Sequence, residues 1–318
     1  MPIIILEQHL PGFAPDTSWL TGGYMDYIPA KTLIARMPPD SGWFGCDYNM
    51  NIYKGCCHGC IYCDSRSECY HVDNFDEVRA KKDALVIMER ELKTKRQTGV
   101  VGVGAMSDPY NPFESEHKLT RGALELINRY GFGINMLTKS DLVTRDIDLY
   151  QEIQRHSPVS VRLTITTFDD SLCRKLEPRV AVTSKRFAAI QELAQAGIYT
   201  GVLLMPVLPF INDTEENITG IVQEAHQSGA KFIYPAFGVT LRQNQRAYFY
   251  GELPKMFPGV KERYIKMFGA SYECPSPNAR RLWEIFTTLC ARYGILYQMT
   301  DIVAGYKNQM TTGQMKLF

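Results

Sequence analysis

Three cysteines within eight residues, Cys56, Cys60 and Cys63, constrain this chain more than any other feature. They punctuate the run Asn51-Ile52-Tyr53-Lys54-Gly55-Cys56-Cys57-His58-Gly59-Cys60-Ile61-Tyr62-Cys63. A Cys-x3-Cys-x2-Cys spacing can turn all three sulfurs to one face of a compact loop. Soft thiolates suit iron–sulfur clusters and zinc. A closed zinc site usually wants a fourth Cys or His from a second pair. Cys57, His58, Cys69 and His71 are near enough in sequence to offer one. A cubane held by only three cysteines instead leaves one iron open to another ligand. Two features favour the cluster. Tyr62, just before the last cysteine, could pack over a flat heterocycle, and the strand and helix signals that follow exceed what a small zinc module needs.

At 318 residues the chain can bury one large α/β core or two smaller ones. Its net charge of +1 gives no electrostatic sign of a nucleic-acid or membrane partner. Nine cysteines, some clustered, with no basic n-region at the N-terminus, point to a reducing, cytoplasmic compartment rather than a disulfide scaffold. No uncharged apolar run approaches the ~18 residues of a membrane span.

Beyond the cysteine loop the chain alternates. Val100 to Ala105, Ile134 to Thr138, Val159 to Thr166, Tyr199 to Leu204 and Phe232 to Pro235 read as strands, and Phe75 to Lys81 as a short strand or edge. Between them lie helical stripes. Asp83 is an expected N-cap before Leu85, Met88 and Leu92, and Asp146 before Leu149 and Ile153. Leu124 and Ile127 face inward from Arg121 to Arg129, as do Phe187, Ile190 and Ala194 after Ser184. Asp213-Thr214-Glu215-Glu216 resembles a capping box before Ile218, Ile221, Val222 and Ala225. This alternation predicts βα units and a parallel sheet. With a strand before the cysteine loop the count is about six units, short of a closed eight-fold barrel. Residues 1–48 read as an irregular N-terminal segment, 238–310 as a C-terminal extension with a helix over Asn278 to Tyr293, and 311–318 as a flexible tail.

The triplet, with its aromatic before the third cysteine, resembles the signature of radical S-adenosylmethionine (SAM) enzymes. The wider stretch from Asn49 to Arg66 is similar to the branch containing spore photoproduct lyase and the DNA repair photolyase-like proteins. The resemblance runs over about 49–237 and implies a partial (β/α)6 TIM-type barrel with a [4Fe–4S] cluster after the first strand. It implies SAM at the C-terminal ends of the strands, bound to the open iron and cleaved by one electron to a 5′-deoxyadenosyl radical. A flavodoxin or ferredoxin would supply the electron.

The strand ends carry matching residues. Ser107-Asp108-Pro109-Tyr110-Asn111-Pro112-Phe113-Glu114 resembles the branch's Ser/Thr-Asp-Pro-Tyr-x-Pro-x-Glu motif, with Ser107 and Asp108 expected at the amino end of SAM. Lys139 is expected to pair with the SAM carboxylate. Thr164 and Thr166, two residues apart on one strand, are expected to reach ribose or carboxylate. Leu176-Glu177-Pro178-Arg179 and Arg186 resemble the branch's Leu-Glu-Pro followed by an arginine, a structural ion pair or a cofactor contact. Met205 opens an apolar lip suited to adenine, and Tyr62 is counted with these contacts.

One departure matters. Where spore photoproduct lyase carries a hydrogen-donating cysteine, this chain has Met106. Cys274, in the C-terminal extension, is the candidate substitute. The tail Gln314-Met315-Lys316-Leu317-Phe318 resembles the Gln-Leu-x-Leu-Phe peptide with which bacterial repair proteins dock on the sliding clamp. The reading is a lyase-like radical SAM enzyme of DNA repair or modification. Its rivals are a radical SAM enzyme acting on a peptide or small molecule, and a non-catalytic iron–sulfur or zinc module tethered to the clamp.

Overall fold

The computed structural model describes residues 25–38 and 42–308. Six parallel strands form its centre: β1 (Tyr48–Met50), β2 (Val100–Val103), β3 (Gly133–Thr138), β4 (Val159–Thr164), β5 (Thr200–Leu204) and β6 (Phe232–Pro235). They lie side by side in chain order, with Ile34–Arg36 added antiparallel to the outer edge of β1. The register runs through Val101↔Ile134, Ile134↔Val159 and Val161↔Thr200. Among the described residues β6 does not pair with β1, so the barrel stays open. The free edge of β6 is covered instead by Leu296, whose carbonyl accepts from Ile233 N at 2.9 Å.

A helix follows each strand: α1 (Ala84–Thr94), α2 (Leu119–Arg129), α3 (Ile147–Gln154), α4 (Thr183–Gln195), α5 (Glu215–Gln227) and α6 (Ala279–Tyr293). Each buries an apolar stripe; α5 buries Ile218, Ile221, Val222 and Ala225 as expected, whereas Leu85 of α1 and Ala194 of α4 are only partly buried, with Ile87 and Leu193 taking the inward positions. At about 1.5–3 kcal/mol for each buried aliphatic side chain, these stripes rather than helix propensity hold the outer layer on the sheet. Thr214 caps α5 by accepting from Asn217 N at 3.2 Å. The other two expected caps differ. Asp83 stands at the start of α1 in a left-handed conformation, with no side-chain cap. Asp146 precedes α3 but is drawn away by Arg121 and Arg145, at 2.9 and 2.7 Å.

The N-terminal segment is more regular than its composition suggests. Asp26–Ile28 pairs with Arg79–Lys81, and Ile34–Arg36 pairs with β1; both are three-residue strands made regular by partners distant in sequence. The extension is not wholly helical either. Helices Gln245–Met256 and Val260–Phe268 are flanked by an antiparallel pair, Gly238–Thr240 with Glu273–Pro275, before the chain returns to α6 against α5. Among the described residues no helix is long and apolar enough to cross a membrane. The tail residues Gln314, Leu317 and Phe318 and the N-terminal residues 1–24 lie outside the described residues.

Candidate active site

The cysteine loop leaves β1 and is shaped by glycine. Gly55 has φ +81°, and a Cβ there would lie 2.1 Å from Glu77 O, so no other residue fits. Cys56 N donates to Phe75 O at 2.7 Å and Ile61 N to Leu176 O at 3.0 Å. Ser107 Oγ donates to Gly55 O at 2.5 Å. The three thiols are close enough for each to feel another's charge. Burial alone would raise the Cys56 pKa, but His58, through its charge and N–H donors, outweighs burial and lowers it. Burial pushes Cys60 and Cys63 up. Among the described residues no three Cys, His, Asp or Glu side chains gather closely enough to hold a single metal ion. Three soft donors on one short loop, the Cys56 thiol with its pKa lowered, fit a cluster bound through Cys56, Cys60 and Cys63.

A cavity of about 490 Å³ opens beside this loop at the C-terminal ends of the strands. Its wall includes Tyr62, Asp108, Lys139, Thr164, Met205 and Cys274, six of the residues singled out from the sequence. Lys139 is half-buried, with Nζ 5.7 Å from the Tyr62 ring centre. Burial disfavours its charge, but Cys60, Glu177 and Cys63 more than compensate and raise its pKa, so it stays a cation. Asp108 accepts from Thr138 Oγ1 at 2.6 Å, Lys139 N at 2.8 Å and Tyr110 N at 2.9 Å. These donors tie the ends of β2 and β3 together. Gly104, next to β2, has φ +99°; a Cβ there would lie 1.9 Å from Leu137 O.

Ser107, Thr166 and Arg186 do not line the cavity. Ser107 is spent on the cysteine loop. Thr166 lies beyond the end of β4; its carbonyl accepts from Asn212 and Asn217, and its hydroxyl has no partner. Arg186 is wholly buried in an ion pair with Glu177 and also donates to Ala181 O and Thr164 O, each at 2.6 Å. Glu177 accepts the Tyr62 hydroxyl as well. The Leu176–Arg179 turn is thus a brace for the cysteine loop, linking Tyr62 to the end of β4. The tyrosine and glutamate of the strand-end motif are braces too. Tyr110 OH meets Asp146 and Tyr150 at 3.0 and 2.7 Å, and Glu114 takes Thr120 N and Arg145 at 3.0 and 2.9 Å.

Two contributors escaped the sequence reading. Gln245 Nε2 donates to Tyr62 O at 3.0 Å and Thr240 O at 2.8 Å, stitching the extension to the cysteine loop. His58, weighed there only as a zinc ligand, has Nδ1 3.6 Å from Asp108 Oδ2. A glutamine in a polar run carries no distinguishing signal, and the partner of His58 lies fifty residues on.

Residues 50–219, over half of the chain, match the radical SAM superfamily. The chain belongs to that superfamily. Its enzymes use a [4Fe–4S] cluster and SAM, and these are its cofactors. An uncharacterised protein of Mycobacterium tuberculosis is 29% identical over 255 residues, covering 77% of this chain and 74% of the relative. An uncharacterised protein of Methanocaldococcus jannaschii is 34% identical over 173 residues, covering 54% and 64%. Among solved structures, spore photoproduct lyase complexed with a dinucleoside spore photoproduct superposes at TM-score 0.60 with 16% identity, covering 84% of this chain and 78% of the lyase. The radical SAM methyltransferase TsrM from Kitasatospora setae gives TM-score 0.52 at 11% identity, covering 84% and 62%. Both show the same open-barrel fold.

Proposed function

We propose that this radical SAM enzyme acts on nucleic acid, in a lyase-like repair or modification of DNA. The observation that carries the reading is Cys274, a buried thiol that the extension places on the cavity wall shared with Lys139, Thr164 and Met205. The lyase of the same fold holds a dinucleoside lesion, which supports the substrate class. When bound, the cluster and SAM supply a 5′-deoxyadenosyl radical on one-electron reduction. The chain's own residues do the rest. Tyr62 and the Met205–Pro206 lip would face the heterocycle of SAM, Lys139 would hold its carboxylate, and Thr164 would offer a hydroxyl to its ribose. Asp108 keeps the two strand ends in place for them.

Cys274 then gives a hydrogen atom to the substrate radical. Its S–H bond breaks and a C–H bond forms on the substrate. The thiyl radical left behind is restored by one electron and one proton, the electron coming from the flavodoxin- or ferredoxin-type donor that the cofactor chemistry already requires. The C-terminal Gln314-Met315-Lys316-Leu317-Phe318 peptide brings the enzyme to DNA through the sliding clamp, which fits a chain with no strong basic charge of its own. The test is anaerobic incubation with SAM, dithionite and UV-irradiated DNA, following 5′-deoxyadenosine and thymine-dimer loss together. Both are expected in the wild type. In C274A, nucleoside formation should persist while repaired product falls at least tenfold. Nucleoside without dimer loss in the wild type would remove the DNA substrate and leave the enzyme class intact.

A further inference from the structure

Gln245 is the first residue of its helix, lines the cavity and is 0% exposed. Its amide nitrogen gives both N–H groups to carbonyls, Tyr62 O at 3.0 Å and Thr240 O at 2.8 Å. Its Oε1 accepts from Arg242 N at 2.8 Å. The orientation of the amide is forced, because a flip would set Oε1 against two carbonyl oxygens. The backbone that aims it is unusual. Asn244, just before, has φ +65° and ψ −51°, a conformation that persists only where its surroundings hold it.

These bonds join two walls of the cavity. Tyr62 belongs to the cysteine loop and directly precedes Cys63. Thr240 ends the strand Gly238–Thr240, whose Val239 lies opposite Cys274 in the antiparallel pair. One side chain therefore spans from the cysteine loop to the strand pair that carries the thiol. The neighbouring segment grips the loop at three further points. Glu68 N donates to Gln243 O at 3.4 Å, Arg242 Nε lies 3.3 Å from Asp64 Oδ1, and the Arg66 guanidinium stacks 3.8 Å from the Tyr248 ring centre. With the extension anchored by these contacts, Gln245 sets the separation of the walls rather than their attachment. We infer that Gln245 is a positioning residue for the hydrogen transfer: it holds the Cys274 wall at a fixed distance from the cysteine loop, so that the substrate radical meets the thiol. It acts through Tyr62 O and Thr240 O, not on the reacting atoms. The inference rests on the role proposed above for Cys274 and adds what keeps that thiol in reach. A misplacement of about 1 Å can cost about a hundredfold in rate, so loss of this span should let substrate radicals miss their hydrogen donor.

Q245M keeps the length of the side chain and removes both donors. With SAM, dithionite and UV-irradiated DNA, the 5′-deoxyadenosine formed per thymine dimer repaired should rise about tenfold over the wild type. A residue that served folding alone would lower both quantities together, so an unchanged ratio overturns the inference. A second readout needs no DNA. In the anaerobically reconstituted enzyme, alkylation of Cys274 by iodoacetamide, followed by mass spectrometry of its peptide, should quicken about tenfold or more in Q245M, because the wall that buries the thiol is no longer held. Alkylation at the wild-type rate overturns the inference as well. If the wild type repairs no dimers, the DNA reading fails, and the alkylation rates alone decide whether Gln245 holds the Cys274 wall. Should Q245M not fold, Q245N, which keeps the amide but falls one methylene short of the two carbonyls, carries the same expectations.

Discussion

Replacing Glu177 with glutamine removes one charge from a pair whose side chains are both 0% exposed. Breaking a buried pair from one side costs about 3–5 kcal/mol, because the remaining ion stays desolvated. Glutamine keeps the shape and one acceptor, and Arg186 keeps its two carbonyl partners at 2.6 Å. The low end, about 3 kcal/mol, is therefore expected. At roughly 2 °C per kcal/mol for a chain of this size, melting should fall by about 6 °C. The pH dependence gives a second reading. Burial would raise the Glu177 pKa, but the charges of Arg186 and Lys139 and the bonds from Tyr62 and Arg186 hold it below the ordinary carboxylate value. A depressed native pKa contributes stability above about pH 4.3 and loses it as the pH falls through the native value. Wild-type stability should therefore drop more steeply than that of E177Q on acidification below about pH 4.3. Thermal unfolding followed by circular dichroism, at pH 7 and along an acid series, tests both. A melting point within 2 °C of the wild type, or parallel acid profiles, would refute the reasoning.

Other consequences follow from the same geometry. G104A would place a Cβ 1.9 Å from Leu137 O at φ +99°, so a loss of at least about 3 kcal/mol is expected in urea unfolding. K139M should weaken SAM binding tenfold or more by equilibrium dialysis while leaving iron content unchanged, since a charge-assisted bond is worth about 1.5–3 kcal/mol. Deleting Leu317 and Phe318 should abolish retention on an immobilised sliding clamp without altering 5′-deoxyadenosine formation; unchanged retention would remove the clamp as a partner.

Much of the barrel was legible because each unit repeats one physical pattern, an apolar strand followed by a stripe such as Ile218, Ile221, Val222 and Ala225. The cavity wall was legible where a polar residue falls directly at a strand end, as Asp108, Lys139 and Thr164 do. What failed depended on partners remote in sequence. For Arg186 the sequence left an ion pair with Glu177 and a cofactor contact open, and the shared burial of the two side chains gives the ion pair. Ser107 looks like a ligand until Gly55, fifty-two residues back, takes its hydroxyl. The Gly238–Thr240 and Glu273–Pro275 strands are too short for periodicity to announce them, yet their pairing is what brings Cys274 to the cavity. Asp83 and Asp146 carry the right chemistry for caps, but local backbone and competing arginines decide otherwise.

The central claim is that Cys56, Cys60 and Cys63 hold a cubane whose remaining iron is free for SAM. Mössbauer spectroscopy of 57Fe-reconstituted enzyme, with and without SAM, measures this directly. On adding SAM, one iron in four should move to the parameters of higher coordination while the other three stay tetrahedral, and C60A should fail to form the cluster. Four irons that ignore saturating SAM, or a reconstituted wild type that binds zinc and no iron, would contradict it.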